Sequence, residues 1–520
     1  MDKGKPAYKS KEIKKKDQFL TRMKRDPLLK NTPPKYHRDL VTSIILLFLL
    51  LIANSASADS QSSSKNAADW FEKGISLVNA GKYQEGLEAY AKAIELDPKY
   101  VGAYNNRGYT QSKLGNYQQA IRELDKAIEL DPFFAMAYSN RGHAHIKLGN
   151  YQQAIRDCDK AIELDPILAM AYSNRGLAYV NLGDQQQAMK DFDRAIGLDP
   201  KFAMAYSNRG VAHANLGNHQ QAIRDLDKAI ELDPKNSMAY FNRGVASANL
   251  GNHQQAIRDL DKAIELDPKF ALAYSNRGYA HIRVENYQRA IRDLDKAIEL
   301  DPKFALAYSN RGYAHIKLGN YQQAIRDLDK AIEADPKFVR PYNNRGDAYG
   351  KLGNYQQAIR DLDKAIELDP KFMRAYNNRG DVYSKLENYQ QAIRDYDKAI
   401  ELDPKFAMAY YNRGDAYIKL GNYQQAIKEL NKAIEVDSKF AMAYSNRGLA
   451  YAKLGNDQQA MKDYDRAIEL DSKFAGAFFG RGTAYGKLGN NSQQIQDYKI
   501  AARLGLNSAQ DYLRSNGIAW

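Results

Sequence analysis

Apolar and polar residues alternate along most of this chain with the three- and four-residue spacing of amphipathic helices. Residues 271–304 contain two such apolar stripes. The first stripe consists of Tyr274, Gly278, His281 and Val284, and the second of Ala290, Ile291, Leu294, Ala297 and Ile298. Between them, Glu285-Asn286 occupies the place of a Gly-Asn turn signal found in most copies. The pattern predicts two helices joined by a short turn, with Gly278 allowing them to approach closely.

The same pair of helices returns every 34 residues, because residues 305–338 repeat residues 271–304 almost letter for letter. Neither helix can bury its stripe alone, whereas stacked copies bury a continuous core. We count twelve copies from Ala67 to Phe474 and a degenerate thirteenth from Ala475 to Ser508. Residues 509–520 are predicted to form a capping helix and a tail. The repeat array therefore spans residues 67–508.

The repeated unit resembles the tetratricopeptide repeat. Most units have an aromatic residue in the fourth place, Gly in the eighth, Ala in the twentieth and twenty-seventh, and Pro in the thirty-second. Gly86 departs from the pattern in the first copy, and Ser438 and Ser472 replace the proline in two later ones. The resemblance implies an all-α fold, a right-handed superhelical solenoid of helix-turn-helix units whose first helices line the concave side. It also implies a scaffold that binds other proteins.

The first 58 residues differ from the repeats, since they hold thirteen Lys or Arg and only five acidic residues. Residues 1–40 form a basic leader and residues 41–58 an export signal or signal anchor, followed by a Ser-rich linker at residues 59–66. Val41 to Ala53 is an uncharged apolar run of thirteen residues, which is short for a membrane span and typical of an export signal. Ala58 and Asp59 flank the expected cleavage site.

Three alternatives remain open for this leader: a cleaved signal, an uncleaved anchor through residues 41–53, or a chain that is not exported. Translation starting at Met23 instead of Met1 would give a leader of ordinary length. The first two alternatives place the repeats on the non-cytoplasmic side of a membrane, either periplasmic or secreted, or anchored by a single span.

An asparagine occupies the sixth place of eleven units, a set that we call the amide row. Its members are Asn106, Asn140, Asn174, Asn208, Asn242, Asn276, Asn310, Asn344, Asn378, Asn412 and Asn446. An amide can both donate to and accept from a peptide backbone, so the row is a candidate for holding an extended segment of a partner. It resembles the asparagine ladder in the repeat domain of O-linked N-acetylglucosamine transferase. The alternative is that the amides bond to the adjacent repeat and set its register.

The second and ninth places vary between units and would flank this groove. The residues that we single out are Tyr279, Tyr313, Arg340, Asp347, Arg374, Asp381 and Asp415. They predict a groove that is apolar in its earlier units and charged in the ninth to eleventh. Neutral variation at exposed places would explain the same pattern.

The sequence contains no recognisable catalytic, cofactor-binding or metal-binding motif, and no small-molecule substrate is indicated. The single cysteine, Cys158, replaces a core Leu, and His281 and His315 take the place of packing tyrosines. Charges on the second helices, such as Asp293 and Asp295, are expected on a solvated face. The excess positive charge is concentrated in the leader, so nucleic acid binding is not expected.

We therefore predict a non-enzymatic scaffold that binds extended segments of partner proteins. A regulatory or adaptor subunit of a separately encoded enzyme is the main alternative. Handling of carbohydrate or another polymer is a weaker one.

Overall fold

The computed structural model describes residues 66–520, and the regular elements in that range are all α-helices. The predictions for the leader, including the apolar run and the cleavage site at Ala58 and Asp59, lie outside the described residues. The helices α1 to α27 are, in order, residues 66–79, Tyr83–Leu96, Val101–Lys113, Tyr117–Leu130, Ala135–Lys147, Tyr151–Leu164, Ala169–Leu182, Gln185–Leu198, Ala203–Asn215, His219–Leu232, Ser237–Asn249, His253–Leu266, Ala271–Arg283, Tyr287–Leu300, Ala305–Lys317, Tyr321–Ala334, Val339–Lys351, Tyr355–Leu368, Met373–Lys385, Tyr389–Leu402, Ala407–Lys419, Tyr423–Val436, Ala441–Lys453, Asp457–Leu470, Ala475–Lys487, Asn491–Arg503 and Asn507–Ser515.

The described residues fall into two compact units, one that ends at Gly217 and one that spans Asn218–Trp520. The described part of the first unit contains α1 to α9, and the second contains α10 to α27. Within each unit, a second helix packs against the first helix of its own repeat and against the first helix of the next repeat. This packing confirms the prediction of an all-α solenoid of repeated helix pairs.

The predicted apolar stripes meet in the core. Ala290, Leu294 and Ala297 of α14 are fully buried, and the same cluster extends to Ala307 and Ala314 in the next repeat. Each repeat therefore completes the core of its neighbour, which is why a single copy is not expected to fold alone.

Gly278 lies at the closest approach of α13 and α14. A Cβ atom built on this glycine would lie 2.8 Å from Cγ of Leu294 and 3.2 Å from the carbonyl oxygen of Ala290. One turn further on, His281 is only 7% exposed. The prediction that this face of α13 belongs to the core is confirmed.

The turn between the two helices of a repeat needs a residue with positive φ. Gly149 and Gly319 supply it with φ of 79° and 77°, and Glu285 takes the same conformation with φ of 60°. In that turn the backbone N–H of Asn286 donates to the carbonyl oxygen of His281 at 2.8 Å. The substitution of Gly by Glu therefore leaves the turn geometry unchanged, although a side chain in this conformation is unfavourable.

The last helix, α27, covers the end of the second unit. Ala509 and Leu513 are fully buried and pack against Tyr498 and Ala501 of α26. Between residues 66 and 520, none of the helices has both the length and the hydropathy needed to cross a membrane.

Candidate functional site

Asparagines of the amide row in the first unit bond to the preceding repeat. Nδ2 of Asn140 donates to Oδ1 of Asn105 at 2.9 Å. Nδ2 of Asn174 donates to the backbone carbonyl oxygen of Ser139 at 3.1 Å. Asn140 and Asn174 are themselves only 6% and 3% exposed. These two amides therefore serve the register between repeats, as the alternative interpretation of the row states.

Three asparagines of the second unit are engaged in the same way. Asn378 donates to Oδ1 of Asn343 at 3.0 Å, and Asn412 donates to Oδ1 of Asp381 at 2.8 Å. Asn446, the third, donates to a ninth-place aspartate of the preceding repeat. The amides of the later repeats are thus committed to contacts within the protein.

Four consecutive asparagines form no bond to the preceding repeat within the second unit. Asn276 donates to the carbonyl oxygen of Leu272 in its own helix at 2.9 Å, and Asn344 accepts a bond from its neighbour Asn343. The side chains of Asn242 and Asn310 form no hydrogen bond with any described residue of this unit, and both residues are partly exposed. This stretch, Asn242 to Asn344, is called the open segment of the amide row. In the first unit, Asn106 accepts a bond from Asn105 and also forms a hydrogen bond with Tyr90 of the preceding repeat.

The fifth place of the preceding repeat supplies the acceptor for several engaged amides, and the spacing of the asparagines alone did not reveal it. Asn174 reaches Ser139 in that place, and Asn208 reaches Oγ of a serine in the same place at 3.3 Å. The residue in that place before Asn276 is Phe241, which has no side-chain acceptor. The fifth place is Asn or Ser in the four units from Asn105 to Ser207 and becomes Phe241 in the next, and this change was the available signal for Asn276.

Ser275 occupies the fifth place before Asn310 and is 1% exposed. Its hydroxyl oxygen has no hydrogen-bond partner among the described residues. In the first unit the equivalent hydroxyl of Ser139 receives a bond from Asn174 at 3.2 Å. The Ser275 hydroxyl is therefore buried without a partner, whereas the Asn310 amide is partly exposed at this point of the open segment.

The ninth-place aspartates come together around one cavity of about 200 Å³, which we call the acidic pocket. Asp347, Asp381 and Asp415 line it, one from each of three consecutive repeats, along with Lys351 and Lys385. The remaining lining residues are Gly350, Asn378, Val382, Ser384, Tyr396 and Asn412. The three aspartates singled out in the sequence thus belong to one site.

Asp381 is the best connected of the three carboxylates. Its Oδ1 accepts bonds from the Tyr396 hydroxyl and from Nδ2 of Asn412, each at 2.8 Å. Burial raises the pKa of Asp381 to about 6, an effect that the bond from Tyr396 opposes and the nearby Asp347 reinforces. Burial also raises the pKa of Asp347 and of Asp415. Burial therefore disfavours the charged form of all three carboxylates.

The other groove-flanking residues lie on first helices beside these asparagines. Tyr279 and Tyr313 are partly exposed, and the ammonium group of Lys317 lies 5.4 Å from the centre of the Tyr313 ring. Arg340 and Arg374 are exposed at the starts of α17 and α19. None of these four lines the acidic pocket.

A second repeated contact was also overlooked: an arginine in the seventh place of the unit joins two second helices. In α15, Nε and Nη2 of Arg311 donate to the two carboxylate oxygens of Asp327 at 2.9 and 2.6 Å. Nη1 of Arg311 donates to Asp295 of the preceding repeat at 2.6 Å. The arrangement recurs along both units at Arg141, Arg175, Arg243, Arg277, Arg311, Arg345, Arg379, Arg413 and Arg481.

This network corrects the prediction that Asp293 lies on a solvated face. Asp293 is 8% exposed and receives both bonds of the Arg277 fork. Asp295 is more exposed but is paired to Arg311. The prediction was wrong because helical spacing places the twenty-third residue of the unit toward the first helix, where only a charged partner makes a carboxylate tolerable.

The cysteine and two of the histidines, which could in principle take part in chemistry, lie in the core. Cys158 is fully buried, as predicted, and burial raises the pKa of its thiol. His281 and His315 have their pKa values lowered by burial, and each lies 3.8 Å from the aspartate of the arginine network. Among residues 66–520, no group of His, Cys, Asp or Glu side chains is arranged to hold a metal ion.

Several solved structures are similar to this chain. The APC/C hetero-tetramer Cut9–Hcn1 matches at 18% identity over 79% of this chain and 95% of its own, with a TM-score of 0.45. Yeast Tom70 matches at 18% identity over 87% and 97%, with a TM-score of 0.39. A tetratricopeptide repeat protein from Parabacteroides merdae matches at 21% identity over 48% and 99%, with a TM-score of 0.38. No curated protein sequence matches this chain.

Family models described as TPR repeat or tetratricopeptide repeat match successive stretches of the chain. The matched stretches are residues 67–100, 89–122, 112–149, 135–167, 169–202, 203–236, 237–270, 277–341, 328–360, 346–387, 380–421, 414–455 and 441–474. Together these stretches cover most of the array that the 34-residue period predicts. The chain therefore belongs to the tetratricopeptide repeat family.

Proposed function

We propose that this chain is a protein-interaction scaffold that holds an extended segment of a partner protein against the first helices of its second unit. Tetratricopeptide repeats serve as scaffolds for contacts between proteins, which supports the general role. The finer proposal concerns where the segment binds. It places the segment along the open segment of the amide row, from Asn242 to Asn344.

The observation that carries this proposal is the contrast between engaged and open amides. The Nδ2 groups of Asn140 and Asn174 donate to the preceding repeat. The side chains of Asn242 and Asn310 form no such bond in their unit. An amide with a free donor and acceptor can pair with the N–H and C=O groups of a peptide backbone. Because a peptide backbone repeats, a row of equivalent amides suits an extended ligand whatever its side chains.

Apolar surface beside the open segment favours the same ligand. Met238 is 49% exposed and Leu272 is 47% exposed, and both lie on the first helices of this stretch. Tyr279 and Tyr313 lie one turn beyond the asparagines of their helices. Flexible methionine and aromatic rings can adapt to varied side chains, which suits a scaffold with more than one partner.

Replacing Asn242, Asn276 and Asn310 together by Ala tests the proposal. The probe is a 12-residue peptide selected from a random displayed library against the full chain. We expect affinity to fall by about tenfold or more, since each lost hydrogen bond is worth roughly 1 kcal/mol. Helicity should be unchanged, because Ala is the better helix former. Fluorescence anisotropy and circular dichroism measure the two quantities.

The matched control replaces Asn140, Asn174 and Asn208, whose amides bond to the preceding repeat. This variant should lower the stability of the first unit and leave peptide affinity unchanged. Binding that survives substitution of the open segment but is lost above about 0.5 M salt would contradict the proposal. It would point to the lysines that end the first helices, since contacts between exposed charges are screened by salt.

We further propose that the repeats act on the non-cytoplasmic side of a membrane. The support is the thirteen-residue apolar run Val41 to Ala53, the basic residues before it, and the small residues that precede Asp59. N-terminal sequencing of the native protein should find Asp59 as its first residue. Intact peptides spanning residues 40–59 in the membrane fraction would indicate an anchor instead. Recovery of the complete leader in the cytosol would contradict export.

A further inference from the structure

The acidic pocket differs from the rest of the first-helix surface. It is a cavity of about 200 Å³ between three consecutive repeats, which is the liquid volume of about six or seven water molecules. Asp347, Asp381 and Asp415 each contribute a carboxylate to it. Such a cavity is large enough to take one side chain of a partner, but not an element of secondary structure.

Nearby arginines do not neutralise these carboxylates. Arg345, Arg379 and Arg413 belong to the same three repeats, and each is paired to buried carboxylates of the second helices. Lys351 and Lys385 line the pocket, yet within the described residues neither forms an ion pair with the three aspartates. Their charges act on Asp347 and Asp381 from a distance and partly offset the rise in pKa that burial causes in both. Three carboxylates and two ammonium groups line the cavity, so one negative charge is left for another cation.

Hydrogen bonds hold the central carboxylate in place. Oδ1 of Asp381 receives both the Tyr396 hydroxyl and Nδ2 of Asn412. The Tyr396 side chain is 1% exposed, so its hydroxyl has a fixed position. In the neighbouring repeat, Asn446 donates to Oδ1 of Asp415 at 3.0 Å. Preorganised acceptors of this kind lose little entropy when a ligand binds.

We infer that the acidic pocket takes a basic side chain, arginine or lysine, of the partner segment held by the neighbouring asparagines. This inference rests on the proposed function and adds the chemistry of the segment to it. The bound cation would lie beside Asp381. The other charged and hydrogen-bonding groups that line this site are Asp347 and Lys351 on α17, Lys385 on α19, Tyr396 on α20, and Asn412 and Asp415 on α21. Binding relieves the cost of three partly desolvated carboxylates, which is why the pocket favours a cation over a neutral group.

Matched peptides test the inference. The selected 12-residue peptide is synthesised with arginine, lysine or citrulline at each position in turn, because citrulline keeps the shape of arginine without its charge. At one position we expect arginine and lysine to bind about tenfold or more tightly than citrulline, the effect of one charge-assisted hydrogen bond. Equal affinities at every position would overturn the inference and leave the proposed function intact. A parent peptide whose binding is unchanged by the substitution of Asn242, Asn276 and Asn310 would instead count against the proposed function.

Two triple variants locate the effect. Replacing Asp347, Asp381 and Asp415 by Asn should abolish the preference for arginine. The control replaces the exposed Glu367, Glu401 and Glu435 of the same three repeats by Gln, which removes the same number of charges from the second helices. This control should keep the preference. An equal loss in both variants would show only long-range attraction and would overturn the assignment to the pocket.

The pH dependence gives a readout that needs no variant. The pKa of Asp381 is raised to about 6, so lowering the pH from 7.5 to 5 protonates it and should weaken binding of the arginine peptide. The citrulline peptide should be unaffected. The free energy of unfolding should change in the opposite direction from the binding affinity. Because the folded state binds the Asp381 proton more tightly than the unfolded state does, these repeats should become more stable as pH falls from about 6 to 4. A pH-independent preference for arginine would contradict the role of Asp381.

Discussion

Replacing Arg311 by Leu is expected to lower the local stability of the repeats around α15 by about 3–5 kcal/mol. The variant leaves Asp327 charged, 2% exposed and without its guanidinium partner. It also releases Asp295, which links the preceding repeat to Arg311. Amide hydrogen exchange of the native protein measures this locally, and it suits a long repeat array whose unfolding has more than one step.

A second substitution separates the buried charge from the lost packing. Replacing both Arg311 and Asp327 by Leu removes the uncompensated carboxylate and should recover much of the stability. The matched control is Lys330→Met, which breaks an exposed pair with Glu333 in the same repeat. Exposed pairs contribute at most about 1 kcal/mol, so this control should change little. If Arg311→Leu were as mild as Lys330→Met, the arginine network would not be what joins the repeats.

Replacing Gly278 by Ala should destabilise α13 and α14 by about 1–3 kcal/mol, even though Ala has the higher helix propensity. The added Cβ atom would lie 2.8 Å from Cγ of Leu294 and 3.2 Å from a backbone oxygen. Neither atom is the mobile end of a side chain, so the two helices must move apart. Gly278→Leu should cost more than Gly278→Ala, because it adds further atoms to the same contact.

Gly197 provides the control for this prediction. It lies in α8, and a Cβ atom there would meet no other atom within 4 Å. Gly197→Ala should therefore stabilise its helix by up to about 1 kcal/mol. Thermal denaturation and hydrogen exchange of both variants give the comparison. The same sign of effect at both positions would show that helix propensity, rather than the contact at Gly278, decides the result.

The acidic pocket shows why part of the candidate site was visible in the sequence. Asp347, Asp381 and Asp415 occupy the same place in three consecutive units, so the 34-residue period alone brings them next to one another. The cavity between them and the bond from Tyr396 depend on how first and second helices pack. Contacts across the repeat interface are not encoded by any single residue, so only the packed structure shows them.

For the amide row too, the sequence predicts where the asparagines lie, but not which of them are hydrogen-bonded to another repeat. The period and the apolar stripes determine the helices, their pairing and the face on which Asn140 and Asn310 lie, because helical spacing and burial act within one unit and its neighbour. Whether an amide is engaged depends on how the neighbouring repeat packs, since Asn140 bonds to Asn105 in the fifth place, whereas Asn310 forms no bond to Ser275 in the same place.

The arginine network is a second case of this division. The alternating charges of the second helices suggested that Asp293 faces water, and only the position of the Arg277 guanidinium on the facing helix shows that its carboxylate is buried and paired. Sequence periodicity thus determined the solenoid. The partners of its polar side chains were decided by tertiary packing, because a buried carboxylate or amide is stable only where another helix supplies its partner.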